Sequence, residues 1–269
     1  CKKSFFTPKW IDNAAINADE ETSGEILRDI QVPRVTYGIC ANADLYARDI
    51  EITENGVSFL VKLRGLHEYP VHLQLTGMFN VYNALAAFSM ALMAGVEPEV
   101  ITRALAGVRS VPGRAEMLDT GTTYKVLLDY SHSPDALENI LTTVREFARG
   151  RVVVLFGCGG DRDRLKRPIM GEIAGRLADY TILTSDNPRT EDPMVILSEI
   201  EEGIRRTSGQ YTVIENRRDA IRHALETGRE GDVIVLAGKG HETYQEICGV
   251  KRPFNEKVVV RELLEEMNR

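Results

Sequence analysis

The sequence predicts an α/β protein: a Rossmann-like domain with a mostly parallel sheet over residues 112–269, preceded by a less regular α/β portion over residues 1–111. From about residue 120, strand-length apolar runs (YKVLLDY, RVVVLFG, YTILTSD, YTVIE, DVIVLAG) alternate with helix-length amphipathic segments. Strands separated by helices of this length imply parallel pairing through crossover connections. Before that point the pattern is broken, and Pro112 and Gly113 in SVPGRAE mark a boundary between the two regimes.

The first portion opens with the apolar AAIN at 14–17 and a short helix near 20–30. In ARDIEITENGVSFLVKL two alternating runs flank Glu54-Asn55-Gly56, which predicts a hairpin. An alanine-rich apolar helix over 80–96 ends at Gly95, and a second over 98–108 starts on Pro98; together they read as a helical hairpin. In the second portion, Leu137, Ile140, Leu141, Val144 and Phe147 share one helix face, with Ser133 as N-cap and Pro134 at the first helical position.

Composition narrows the function. The 269 residues are 43% hydrophobic and 27% charged with a net charge of −7, so the chain is a globular protein without a broad cationic face for nucleic acid. No apolar run reaches the roughly 18–20 residues that span a bilayer, which predicts no membrane insertion. Cys1, Cys40, Cys158 and Cys248 are too scattered for a zinc site or a disulfide framework, and a reducing cytoplasm is expected. CKKSFFTPKW opens without a methionine, so residue 1 is expected to lie inside a longer chain. No oligomeric state is assigned.

In parallel sheets, ligands bind beyond the C-terminal strand ends. Four of those ends are DYSHSPD (129–135), GCGGDRDRLKRP (157–168), SDNPRTED (185–192) and AGKGHETYQ (237–245). Gly157, Gly159 and Gly160 allow close approach of an anionic ligand or simply a tight turn; neither GxxxxGK[ST] nor GxGxxG is present. Arg162 and Arg189 follow two strands and suit a carboxylate-bearing small ligand, the alternative being surface ion pairs. Glu242 could accept from an ammonium, which with the arginines matches a zwitterion; otherwise Lys239 and Glu242 pair with each other. His132 reads as a hydrogen-bonding or packing residue ahead of a general base. Asp129 could accept from ribose hydroxyls.

Taken as an ordered set, GMFNVYNALAA, PGRAE, DYSHSPDAL, FGCGGDRDRLKRP, SDNPRTED and AGKGHETYQ resemble the Mur ligases, and within them the diaminopimelate-adding branch. The resemblance implies that residues 1–111 are the back part of the central ATP-binding domain and 112–269 the C-terminal amino-acid-binding domain. It implies an ATP-dependent amide ligase that joins meso-diaminopimelate to UDP-MurNAc-L-Ala-D-Glu through an acyl phosphate, in the bacterial cytoplasm, with ATP and Mg2+.

Residue by residue, Lys2 resembles the lysine carbamylated to hold magnesium. Asn80 and Asn83 resemble asparagines near the adenine. Arg114, Asp129 and His132 resemble residues that close over ATP, with Lys2, Arg114 and His132 taken as catalytic. Asp186, Asn187, Pro188 and Arg189 resemble the diaminopimelate signature, in which Asn187 and Arg189 hold the distal carboxylate. Arg162, Gly238 and Glu242 match further positions of that site. Because the UDP-binding domain and phosphate loop are missing from the 269 residues, the chain alone is expected to be inactive. An isolated amino-acid-binding module and a folylpolyglutamate-type ligase are the alternatives; a Rossmann oxidoreductase lacks its fingerprint.

Overall fold

Two five-residue runs, VVVLF at 152–156 and VIVLA at 233–237, are buried at every position, and only central strands covered on both faces bury both parities. A computed structural model of the chain describes residues 6–53, 55–63 and 67–267. It divides into two units, Cys1–Arg109 and Ser110–Arg269.

In the first unit a five-stranded sheet runs in the order β1 (Ala14–Asn17), β2 (Arg34–Gly38), β3 (Leu45–Thr53), β4 (Gly56–Leu63), β5 (Glu68–Leu73). The first three strands pair parallel and the last three antiparallel. Thr53 stands opposite Gly56, the hairpin that Asn55-Gly56 predicts. Helix α1 (Ser23–Asp29) follows β1. Helices α2 (Met78–Met93) and α3 (Pro98–Ala106) form the expected helical pair; Val81, Leu85 and Phe88 of α2 pack on Leu45, Phe59, Val61 and Val71 of the sheet.

The second unit is built on a six-stranded sheet. Its strands are β6 (Glu116–Leu118), β7 (Lys125–Asp129), β8 (Val152–Phe156), β9 (Tyr180–Leu183), β10 (Tyr211–Val213) and β11 (Val233–Ala237), ordered β10-β9-β8-β11-β7-β6. All pair parallel except β6 against β7. Val126, Leu128, Val153, Leu155, Ile182, Ile234 and Leu236 pack against α7 (Arg217–Thr227) and a C-terminal α8 (Glu256–Met267). The opposite parity, including Leu127, Val154 and Val235, is also buried. Helices α4 (Pro134–Phe147), α5 (Lys166–Leu177) and α6 (Pro193–Ile204) supply apolar stripes for that face. Ser133 caps α4 as expected, accepting from the Ala136 N–H. Asp192 and Asn216 cap α6 and α7 in the same way.

Strands β2, β5 and β6 are not among the elements that the sequence reading names, and two later features depart from it as well. A small antiparallel hairpin, β12 (Tyr244–Ile247) and β13 (Val250–Pro253), follows the last parallel strand. Cys248 and Gly249 form its two-residue turn with φ of 48° and 75°, the doubly positive pair that a type I′ hairpin requires. Helix α8 was not anticipated either. Among the described residues no helix is long and apolar enough to cross a membrane.

Candidate functional site

The strand order β9-β8-β11-β7 places four C-terminal ends side by side, so the loops after residues 129, 156, 183 and 237 gather along one edge of the sheet. Their backbones are interlocked. The Gly238 N–H donates to Asp129 O at 3.0 Å, Thr184 N to Phe156 O at 3.0 Å, and Gly160 N to Asn187 O at 2.9 Å. A Cβ on Gly160 would stand 1.9 Å from Pro188 O, so only glycine lets the second and third loops meet this closely.

Arg189 adopts a left-handed backbone, φ 50°, a conformation that costs a non-glycine residue roughly 1–2 kcal/mol. The late hairpin holds it there: Arg189 N donates to Glu246 O at 3.1 Å and Cys248 N donates to Arg189 O at 2.7 Å. The guanidinium Nη1 donates to Gly160 O at 2.8 Å, and Nε lies 3.6 Å from Glu246 Oε2. Among the described residues Nη2 has no hydrogen-bond partner, so one edge of the fork is open.

Next to Arg189 stand the polar groups of the same loop and the last one. Asn187 Nδ2 donates to Glu242 Oε2 at 2.9 Å, while its Oδ1 accepts from Glu246 N at 2.9 Å and from Lys239 Nζ at 3.1 Å. Lys239 also reaches Glu242 Oε2 at 3.2 Å and Asp186 Oδ1 at 3.4 Å. The plain pairing of Lys239 with Glu242 is therefore present, as one edge of a larger cluster. Gly238, at φ 109°, sits where a Cβ would fall 2.9 Å from Asp186 Oδ2. Asp186, Asn187, Pro188, Arg189, Gly238 and Glu242 are thus brought together.

Arg162 is more loosely placed. Its exposed side chain donates back to Asp161 O at 3.3 Å, and it shares the space over Gly159 with Arg189: a Cβ on Gly159 would meet Arg189 Nη1 at 2.8 Å and Arg162 Cγ at 3.7 Å. The buried cation of that loop is Arg167, which sequence reading passed over. It grips Glu191 with two bonds of 2.8 and 2.9 Å, Glu199 at 2.7 Å and Gly159 O at 3.3 Å. Arg164 pairs with Glu199 as well. The Arg167 guanidinium, with the Asp161 N–H at 2.6 Å, outweighs the effect of burial and holds the Glu191 carboxyl far down, at about 2. No simple spacing reveals this network, because Arg167 and its partners are 24 and 32 residues apart.

A second group surrounds Tyr130. The Arg114 guanidinium lies 4.9 Å over its ring, His132 meets it edge-on at 4.6 Å and His241 stands at 5.2 Å. His132 Nδ1 is 2.8 Å from Tyr130 O, and its backbone carbonyl accepts from Lys166 Nζ at 2.6 Å. Burial pushes the Tyr130 hydroxyl up, and the carboxylates of Glu242 and Asp186 add to this, so Tyr130 borders both groups. Asp129 is buried, and its carboxylate accepts from Ala115 N at 2.7 Å and from the Ser131 hydroxyl, which ties residue 115 to the β7 end.

In the first unit Asn80 is buried and donates to Thr76 O at 2.8 Å, while the exposed Asn83 donates to Asn80 Oδ1 at 3.3 Å. Between them, Tyr82 donates to Asp19 Oδ2 at 3.1 Å; burial, then this carboxylate, push its hydroxyl up to about 12. Lys2 lies outside the described residues. Among the described residues no group of three or more histidine, cysteine or acidic side chains could hold a metal ion.

The model of the Mur ligase middle domain matches residues 1–91, and that of the Mur ligase glutamate ligase domain matches 113–240. The chain belongs to the Mur ligase family. Among curated Mur ligases it is similar to the UDP-N-acetylmuramoyl-L-alanyl-D-glutamate–2,6-diaminopimelate ligase of Syntrophomonas wolfei, at 46% identity over 93% of this chain and 51% of that one. It is also similar to the ligase of the same name from Caldanaerobacter subterraneus, at 45% identity over 94% and 52%. A solved diaminopimelate ligase structure aligns with a TM-score of 0.65 at 34% identity, over 100% of this chain and 56% of that one. Folylpolyglutamate synthase from Thermotoga maritima, at 16% identity, TM-score 0.62 and coverage of 83% and 50%, shares the fold alone. The chain spans about half the length of the curated relatives it matches.

Proposed function

We propose that the chain is the amino-acid-binding portion and part of the nucleotide-binding portion of a ligase that joins meso-diaminopimelate to UDP-MurNAc-L-Ala-D-Glu. One observation carries the reading: the open guanidinium edge of Arg189 and the Glu242 carboxylate are joined through a single loop and a single side chain, Asn187. A ligand bearing a carboxylate and an ammonium on one carbon answers both at once, and the distal centre of diaminopimelate is such a group. Lysine lacks the distal carboxylate and leaves the open Nη2 edge of Arg189 without a partner, its Nε side alone facing Glu246. An unsatisfied group of this kind costs roughly 1–3 kcal/mol, about tenfold or more in affinity. The match to a named diaminopimelate ligase supports this choice over the folylpolyglutamate alternative, whose likeness is one of fold.

In such a ligase ATP supplies the phosphoryl group that turns the dipeptide carboxylate into an acyl phosphate. The residues of this chain bind and orient. The pocket around Asn187 and Arg189 fixes the far end of the amino acid, so that its other amine is presented for attack and phosphate leaves from the tetrahedral carbon. Arg114, stacked on Tyr130 beside His132, offers a cation near the carboxylate-facing loops, where negative charge develops. Asp129 acts by holding residues 113–115, which carry Arg114. Asn80 and Asn83 are assigned to the nucleotide base. The described residues do not form a magnesium site, and no step is assigned to the ion. The 269 residues contain no GxxxxGK[ST] loop, so phosphoryl transfer belongs to a complete ligase and the chain by itself binds without catalysis. The reading implies a reaction in the bacterial cytoplasm, where nucleotide-linked substrates and ATP are available.

Calorimetric titration of the chain tests the pocket. Meso-diaminopimelate is expected to bind at least about tenfold more tightly than lysine, and Arg189→Ala to abolish the difference by weakening diaminopimelate alone. Equal losses for the two ligands would refute the distal-carboxylate assignment.

A further inference from the structure

Lys239 is a wholly buried lysine, 0% exposed, in a loop whose neighbours His241 and Glu242 reach solvent. Its ammonium has three donors and finds three acceptors: Asn187 Oδ1 at 3.1 Å, Glu242 Oε2 at 3.2 Å and Asp186 Oδ1 at 3.4 Å. The aromatic ring of Tyr244 closes over it at 5.9 Å. A buried ammonium with every proton committed has no capacity left for a ligand. All three of its partners belong to the pocket, and two of them come from a different loop.

We infer that Lys239 is the positioning residue of this pocket, holding Asp186, Asn187 and Glu242 in one arrangement and leaving one unbalanced carboxylate charge for the ammonium of an amino acid. The charge count follows from the cluster itself: two carboxylates against one ammonium leave a single negative charge. The adjacent Arg217–Glu256 pair, at 2.8 Å and fully buried, is neutral within itself and does not alter the count. That pair braces the same two strand ends, since Arg217 donates to Ser185 O at 3.4 Å and to Ala237 O at 2.9 Å. Without Lys239, Asn187 Oδ1 would keep only the Glu246 N–H, and two carboxylates would face each other with no cation between them. Repulsion would then turn Glu242 outward, toward the solvent it already borders, and release Asn187 Nδ2.

The inference rests on the amino-acid pocket proposed above, so its test carries one readout that needs no ligand. In the chain labelled with 15N, the side-chain amide of Asn187 is expected to give a resolved signal that Lys239→Met shifts toward the position of a free asparagine. Lys239→Met is expected to weaken meso-diaminopimelate binding by about 10- to 100-fold while the thermal midpoint of the second unit remains cooperative. Should this variant fail to fold, Lys239→Gln, neutral but able to hydrogen-bond, is measured in its place with the same expectation. In Lys239→Ala, ethylammonium supplied in solution is expected to restore both the amide signal and part of the affinity, which simple loss of packing would not allow.

An unmoved Asn187 signal in Lys239→Met overturns the positioning role whether or not any ligand binds. Unchanged diaminopimelate affinity in that variant also overturns it and leaves the pocket assignment standing. A wild-type chain that binds neither diaminopimelate nor lysine, yet loses the Asn187 signal in the variant, overturns the pocket assignment and retains the lysine's structural hold.

Discussion

Glu191→Gln isolates the charge in the network that locks the arginine-rich loop to the loop carrying Arg189. Glu191 receives two bonds from the buried Arg167 and one from the Asp161 N–H, and its carboxyl is held at about 2 against an ordinary 4.5. At about 1.4 kcal/mol per tenfold, that depression corresponds to at most about 3 kcal/mol of stability. The side chain is one-fifth exposed, and solvent screening reduces the figure to about 2 kcal/mol. Because the folded-state value is depressed, the contribution is complete above the unfolded value near 4.5 and is lost as pH falls through about 2. Urea unfolding of wild type and Glu191→Gln between pH 7 and pH 3 measures it. The wild type is expected to be more stable by about 2 kcal/mol at pH 7, with at least about half of that gap gone at pH 3. Other carboxylates titrate in both proteins and cancel in the difference. Parallel stability curves over this range would show that Arg167 does not hold Glu191 ionised. The same substitution loosens the grip of Arg167 on Gly159, the residue before the Gly160 carbonyl that receives Arg189, so it is also expected to weaken diaminopimelate binding.

Two further substitutions test the frame beneath the pocket. Arg217→Met strands the wholly buried Glu256, whose carboxyl burial already pushes up against the pull of Arg217; a loss of about 3–5 kcal/mol is expected in urea unfolding, and a loss below about 1 would deny the pair its bracing role. Gly160→Ala forces a methyl onto Pro188 O and is expected to cost about 1–3 kcal/mol, whereas Gly24→Ala, with nothing within 4 Å of the added carbon, is expected to be neutral or stabilising. Equal thermal midpoints for the two alanine variants would refute the close-approach argument.

The parallel sheet and its loaded strand ends were legible because they follow local rules. Apolar runs such as Val152–Phe156 announce central strands, and glycine and charge placed directly after them announce a site. The late hairpin was not legible for the same kind of reason: its strands are four residues each, partly or fully exposed, and carry no apolar alternation, so Cys248-Gly249 was the one available signal. Missing it hid Gln245 and Glu246, which bind Asp186 and Asn187 and set the backbone of Arg189. Helix α8 was more accessible, since Val259, Val260 and Leu263 lie on one face. In the arginine-rich loop, nearness to the strand favoured Arg162, whereas burial selected Arg167. That choice depends on Glu191 and Glu199, which arrive from another loop and another helix, and a linear reading cannot weigh partners whose approach is a property of the fold.

Three buried cations divide the work at this edge of the sheet. Arg167 joins the second loop to the third, Lys239 joins the third to the fourth, and Arg217 braces the third and fourth from within. Each is desolvated, and each is matched by carboxylates or carbonyls of its own protein, so their burial is compensated during folding. What the proposed reading leaves for a ligand is the partly exposed set, Arg189 with one open edge and Glu242 held by Asn187 and Lys239, both already oriented. A ligand entering such a site need not order the groups that recognise it, and the ordering entropy that flexible surface charges would forfeit on binding has been met in the fold. On the proposed reading Arg189 and Glu242 meet the ligand, and the buried cations contribute to affinity by holding the loops that carry them.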